Sequence, residues 1–276
     1  MKDILVHVDA SRRAPARVEA AIRLAQRYGA HLTGLHVIAP PFVPMMTHAP
    51  IPPEIIEEQV RFGRDQAAIV EAAFRTATET AGIAAEWRAV EGYPTEVVGQ
   101  SARYADLTIL GQADPDDDAS RATLDLPDRV VFAAGGPVLV VPRVGTFASI
   151  GERVLVAWNA SREAKRAIDD ALPLLVAARA VTVLVVRPQR SASRHGDVPG
   201  ADISLYLARH GVRAEAAQVH GEDVAVADLL LSRAADLAAD LIVMGAYGYP
   251  RLVEIVLGGV TRAILGHMTV PVLFSH

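Results

Sequence analysis

The chain has 276 residues, 51% of them hydrophobic and only 5% aromatic, with a formal charge of −5 and no cysteine. That balance fits a folded, well-cored protein and gives no general attraction to nucleic acid or to an anionic membrane surface. Disulfides, thiol catalysis and thiolate metal ligation are excluded outright.

Residues 4–8 are a short apolar run of the kind buried in a parallel sheet, and 15–28 carry Val18, Ala21, Ile22 and Ala25 at helical spacing until Gly29 ends them. The first residues lack an uncharged core and a small-residue cleavage site, so no signal peptide is expected. A second strand spans 32–38; Pro40, Pro41, Pro44, Pro50, Pro52 and Pro53 then stiffen the connection to a helix over 54–82. Strands follow at 85–91, 107–110 and 138–141, with a helix over 95–104 between the first two. Residues 142–151 read as a linker, which places domain one at 1–146 and domain two at 147–276. Beyond it the order repeats, with strands at 153–158, 181–187, 214–220, 241–244 and 270–274 and helices at 161–177, 201–210, 224–238 and 258–265. The longest apolar stretch, 171–186, is interrupted by Pro173 and Arg179 and is shorter than the roughly 20 residues of a membrane span. No membrane association and a cytoplasmic location are expected. Strands alternating with helices predict the α/β class, two tandem doubly wound domains with parallel sheets.

The tandem character is written in the residues. Ala-Asp-Leu-Thr-Ile-Leu-Gly at 105–111 matches Ala-Asp-Leu-Ile-Val-Met-Gly at 239–245, and Gly-Pro-Val-Leu-Val at 136–140 matches Val-Pro-Val-Leu-Phe at 270–274. Both share one offset, 134 (239 − 105 and 271 − 137). Ile4 to Ser11 pairs with Val154 to Ser161 at an offset of 150, so the first copy carries extra length in its middle. A duplication explains these matches.

One motif points at a ligand. After the apolar run 239–244 come Gly245 and Gly248, nine residues, then Gly258-Gly259-Val260-Thr261 at the start of a helix. A strand feeding a glycine-lined turn into a helix presents main-chain N–H groups and the positive helix end to phosphate oxygens. Glycine lets the backbone approach closely and take positive φ. A loop that merely turns tightly is the plain alternative.

The Val-Asp-x-Ser segment after strand one, the Ala-Asp-Leu-Ile-Val-Met-Gly strand, the spaced glycines and the closing Pro-Val-Leu strand resemble the universal stress protein family in its tandem two-domain form. The resemblance implies a five-stranded sheet in each domain, of the adenine nucleotide alpha hydrolase-like, Rossmann-like kind. It also implies intramolecular pairing of the domains through their last strands, and a further homodimer is compatible with it. Members that bind ATP continue the glycine motif with Gly-Ser or Gly-Thr, whereas this chain has Gly258-Gly259. One phosphate-facing hydroxyl is therefore missing, a loss of about 1.5–3 kcal/mol that weakens binding without forbidding it.

By the same resemblance Gly245, Gly248, Gly258, Val260 and Thr261 match in place and Gly259 replaces the hydroxyl residue. Asn159 stands for the aspartate after strand one, Val186 for the residue whose backbone meets adenine, and Met244 for the apolar residue beneath the nucleotide. Trp158 has a flat face that could stack on a base, although a tryptophan at a strand end is more often there for packing. Arg251 and Arg262 flank the loop. The expected ligand is ATP or another adenine nucleotide, with or without Mg2+, acting through conformation or partners in a stress response. The alternative is an interaction scaffold with a vestigial site.

In the first copy, the shift of 134 puts Asp114, Leu124, Asp125 and Pro127 at the places of Gly248, Gly258, Gly259 and Thr261. Asp114 and Asp116 to Asp118 would repel phosphate, and the pattern of a calcium loop is absent, so no metal is expected there. Domain one is given a supporting or partner-binding role. No catalytic constellation is found: the Walker, serine-elbow and zinc-helix motifs are missing, and His36 and His267 read as structural or surface groups. At most weak ATP hydrolysis is expected.

Overall fold

The computed structural model describes residues 1–40, 52–186, 200–221, 223–246 and 259–276. In the first half lie β1 (Asp3–His7), β2 (His31–Ile38), β3 (Ala85–Glu91), β4 (Leu107–Gly111) and β5 (Val138–Val141). In the second lie β6 (Arg153–Trp158), β7 (Ala180–Val186), β8 (Ala214–Val219), β9 (Leu241–Gly245) and β10 (Val272–Ser275). The described helices are α1 (Ala14–Tyr28), α2 (Pro53–Thr80), α3 (Pro94–Ala102), α4 (Leu126–Ala133), α5 (Arg162–Asp170), α6 (Leu172–Ala177), α7 (Ala201–Arg209), α8 (Val226–Asp236) and α9 (Gly259–His267).

The strands make one sheet in the order β3-β2-β1-β4-β5-β10-β9-β6-β7-β8. Within each half every pairing is parallel, as short buried apolar strands joined by helices require. The halves meet where β5 and β10 run antiparallel, with Val138 against Phe274, Leu139 against Leu273 and Val140 against Val272. All six of those side chains are fully buried, so neither last strand is left as an open edge.

Alternation along the strands sends successive side chains to two cores. Val154 and Val156 of β6 and Leu241 and Val243 of β9 join residues of α1, α2, α5, α6 and α7. Leu155 of β6 and Ile242 and Met244 of β9 join residues of α3, α4, α8 and α9 on the opposite face. The result is a three-layer α/β/α arrangement of Rossmann-like type, repeated in tandem.

The repeated aspartate before β4 and β9 has a structural cause. Asp240 accepts the N–H groups of Gly151, Glu152 and Arg153 at 2.9–3.1 Å and the hydroxyl of Ser149 at 2.6 Å. Asp106 does the same for Lys2 and Asp3. Each carboxylate thus ties the entry of the first strand of its half to the entry of the fourth.

Two elements depart from the sequence expectation. The helix expected over 161–177 is divided, α5 ending at a cap on Ala171 and α6 beginning there, because Pro173 has no N–H to continue the ladder. Helix α4 was not expected at all; its eight residues start beside Pro127 and are too short for periodicity to reveal. The offset of 134 contains the missing signal, since it carries α4 onto α9. No described helix is long and apolar enough to cross a membrane.

Candidate functional site at the carboxyl edge of the second half

Strand β6 pairs with β7 on one side and β9 on the other, so the strand order of the second half reverses between β6 and β9. In open α/β sheets ligands settle outside the carboxyl ends of the strands at such a reversal. Residues there are held by local geometry. Ala160 takes a positive φ of 58°, Asn159 Oδ1 accepts the Ser161 N–H at 3.1 Å, and Ser161 Oγ caps α5 by accepting the Ala164 N–H at 3.1 Å. Asn159 thus shapes the turn whatever else it does.

Gly245 closes β9. A Cβ built there would stand 2.5 Å from the Ala164 nitrogen and the Glu163 carbonyl carbon. Glycine is therefore required by the approach of the first turn of α5. The next residue, Ala246, donates its N–H to the Ser275 carbonyl at 2.8 Å. Gly259 is different: it is exposed at the start of α9, and no described residue lies within 4 Å of where its Cβ would be. Among the described residues no packing demand explains a glycine at that position.

The other expected residues divide between the two faces. Met244 is 5% exposed and packs in the core shared by α8 and α9, against which Val186 and Val260 also lie. Thr261 is buried in the first turn of α9. Trp158 packs instead against the opposite core, on the side of α5. Strand alternation therefore keeps Trp158 and Met244 on different sides of the sheet. Gly248, Gly258 and Arg251 lie outside the described residues, and Arg262 is exposed. Glu163, 5% exposed, is engaged by Arg162 Nε at 2.5 Å. Burial pushes the Glu163 carboxyl up, but Arg162 and the donors at the helix start outweigh it and hold the group below the usual carboxylate range. His267 is exposed, its Nδ1 at 3.0 Å from the Ala263 carbonyl, whereas His36 is buried against the Val8 carbonyl at 2.7 Å.

At the matching edge of the first half, the space beside Gly111 is filled by charge. Arg17 projects from α1 and is only 4% exposed; its Nη1 lies 2.1 Å from where a Cβ on Gly111 would be. The same guanidinium donates to Asp9 Oδ1 at 2.7 Å. Arg17, Asp9 and His7 leave a cavity of only about 20 Å³, room for a single water. Burial pushes the Asp9 carboxyl up, yet Arg17, His7 and the Ser11 hydroxyl together hold it far below the carboxylate range. Burial lowers His7 to about 4, with Asp9 opposing, so it is neutral at physiological pH. Of the acidic run, Asp117 Oδ2 accepts the Arg12 N–H at 2.8 Å and Asp114 lies 3.5 Å from the same arginine. Among the described residues no cluster of His, Asp and Glu is arranged to hold a metal ion.

Sequence reasoning overlooked Arg17. The available signal was its position one residue before Val18 on the inward stripe of α1, with Ala167 at the matching place in the second copy. A long cation where the repeat has a methyl group marks an altered interior.

The doubly wound sheet and its repeated strand order define a tandem α/β protein of Rossmann-like architecture. The universal stress protein family model matches residues 1–142 and again 151–276, and the chain belongs to that family. In structure it is similar to a universal stress protein from Archaeoglobus fulgidus, at 16% identity over 99% of this chain and 97% of that one, TM-score 0.73. A putative universal stress protein from Pseudomonas aeruginosa aligns over 100% and 93% at 17% identity, TM-score 0.60. A universal stress protein solved in complex with cAMP matches at 21% identity over 51% of this chain and 96% of that one, TM-score 0.38. Among curated proteins none matches.

Proposed function

We propose that the second half binds an adenine nucleotide, ATP being the family expectation, and that the first half does not. The observation that carries this is Gly259: an exposed glycine with no described residue close to its Cβ position, opening a nine-residue helix beside the apolar floor of Met244, Val186 and Val260. An anion placed there meets first-turn N–H groups and no side chain of residue 259. Among the described residues Gly245, Gly259 and Thr261 would lie toward phosphate and Asn159 near the sugar, and the family motif assigns Gly248 and Gly258 to the phosphate side; any Mg2+ would arrive with the phosphates. Trp158 belongs to packing on the other face.

Binding, not turnover, is assigned. Among the described residues the buried ionisable cluster, His7, Asp9 and Arg17, sits in the other half, and Glu163 is engaged by Arg162. Bound nucleotide would act by altering the surface at the carboxyl edge, and through it partners in a stress response. Calorimetric titration of ATP against the wild type and Gly248→Asp tests the site: the variant is expected to lose at least tenfold in affinity, and equal affinities reject the assignment.

One observation favours a second function, an interaction scaffold with a vestigial site: packing on α5 is sufficient to require Gly245. Mass spectrometry of ligand released from the purified protein separates the two. An adenine nucleotide at near one per chain supports binding, and none, together with no heat on titration, supports the scaffold.

A further inference from the structure

Helices α2 and α7, which lead into the third strand of each half, end in the same way. Gly82 follows the cap of α2 and Gly211 that of α7, with φ of 66° and 81°. Ile83 and Val212 then donate their N–H groups back to Thr78 and Leu207, at 3.1 and 3.0 Å, as a Schellman end requires. The strands agree: Ala85 pairs with Leu32 and Ala214 with Val181. A shift of 129 (214 − 85) therefore carries α2 onto α7, as the shift of 150 carries α1 onto α5.

In the second half a tyrosine joins the two helices. Tyr206 of α7 packs against the core, donates its hydroxyl to Asp169 Oδ1 of α5 at 2.7 Å, and has the Lys165 ammonium 4.2 Å from its ring centre and the His210 ring at 4.3 Å. The shifts put Ala77, Glu19, Pro15 and Ala81 at the places of Tyr206, Asp169, Lys165 and His210. A methyl group thus stands where the ring stood, and α1 and α2 enclose a groove of about 950 Å³ over Val18, Ile22, Val70 and Phe74. All four replaced residues line it. Its volume is that of a small-molecule pocket, about 300–1,000 Å³.

We propose that this groove binds an uncharged, hydroxylated aromatic molecule, a phenol of about two or three rings, placed as the Tyr206 side chain is placed in the second half. Apolar walls of Val18, Ile22, Val70 and Phe74 suit flat rings. The polar rim suits a donor. Glu19 stands where Asp169 takes the tyrosine hydroxyl; its Oε1 meets Arg23 at 2.5 Å, and a carboxylate accepts at both oxygens. The donors of the rim are engaged: Arg23 with Glu19 and the Ala148 carbonyl, Gln26 with the Ala81 carbonyl, and Thr76 and Thr80 with carbonyls one turn earlier. An anionic head group would therefore meet the Glu19 charge with Arg23 already paired, whereas a phenol meets an acceptor. The groove lies on the α1–α2 side of the first half, away from the β5–β10 seam and from the candidate nucleotide site.

Calorimetric titration with 4-phenylphenol and with biphenyl-4-carboxylate, two probes of one shape that differ in charge, tests this. The wild type is expected to take one 4-phenylphenol per chain and to bind the carboxylate at least tenfold more weakly; these two titrations need no variant. Ala77→Tyr restores the ring of the second half at a partly exposed position, and is expected to melt no lower than the wild type and to bind neither probe. Glu19→Ala is expected to narrow the gap between the probes. No binding of 4-phenylphenol up to its solubility limit, or binding unchanged in Ala77→Tyr, would overturn the proposal. So would tighter binding of the carboxylate, which gives the groove to an anionic amphiphile, or a dimer in sedimentation velocity that Ala77→Tyr dissociates, which gives it to a second copy. ATP affinity is expected to be equal in wild type and Ala77→Tyr, so the groove and the nucleotide site fail or stand separately.

Discussion

The two halves share strand order, the carboxylate that ties their first and fourth strands, and an Asx turn after the first strand, yet their carboxyl edges are finished in opposite ways. In the first, Asp9, Arg17 and His7 fill the space beside Gly111 with a buried ion pair. In the second, Asn159, Ala167 and Ala157 hold the matching places, and no charge occupies them. The same glycine at the end of the fourth strand therefore serves different ends: Gly111 makes room for a flexible guanidinium, Gly245 for the backbone of a helix. Duplication preserved the frame and freed one edge from the demands of the other.

The largest effect that tests this contrast is expected for Arg17→Ala. Removing one member of a buried pair strands the other, so Asp9 is left desolvated and unpaired, and urea denaturation should show a loss of about 4 kcal/mol. A loss under about 1 kcal/mol would mean that the first half is not held by this pair.

Acid should distinguish the halves next. His7 in the folded chain titrates at about 4, below its ordinary 6.5, so the unfolded chain binds its proton first and stability is complete above pH 6.5. As pH falls from 6.5 to 4 about 3 kcal/mol is lost. Asp9, depressed below the carboxylate range, adds a loss only in stronger acid. The His7→Ala variant, which copies Ala157 of the second half, should flatten the slope between pH 6.5 and 4 while lowering stability overall. An unchanged slope in that variant would remove His7 from the account.

The two glycines should respond unequally to the same change. Gly245→Ala drives a methyl into helix backbone and is expected to cost about 3 kcal/mol, whereas Gly111→Ala meets the tip of a movable side chain and should cost about 1 kcal/mol. Comparable melting shifts would deny the difference in their roles. The smallest effect is a gain: Gly259→Ser adds the hydroxyl that the family motif carries, in open space, and should tighten ATP about tenfold without moving the melting temperature.

Much of the frame was legible before any coordinates. Short apolar strands at a repeated offset, separated by amphipathic stretches, dictate a parallel doubly wound sheet, and β3, β5 and β6 fall on the expected residues. Helix α4 escaped because eight residues give barely two turns of pattern. The spaced glycines marked the right edge of the sheet, but a glycine in sequence does not say whether backbone, side chain or ligand comes close to it. Only three-dimensional contact separates Gly245, pressed on α5, from Gly259, whose Cβ position no described residue approaches. The plug of the first half was hidden for a related reason. Arg17 and Asp9 are eight residues apart on a helix and a strand end, and their meeting depends on how α1 lies across β1 and β4.

The measurement that bears most directly on the contrast is a count of ATP sites per chain by equilibrium dialysis, with the two halves altered in mirror image. One site is expected in the wild type, none in Gly248→Asp, and still one in Asp114→Gly, since removing that acid leaves Arg17 lodged beside Gly111. Two sites in the wild type, or a site that persists in Gly248→Asp, would contradict the assignment of an open edge to the second half and a closed one to the first.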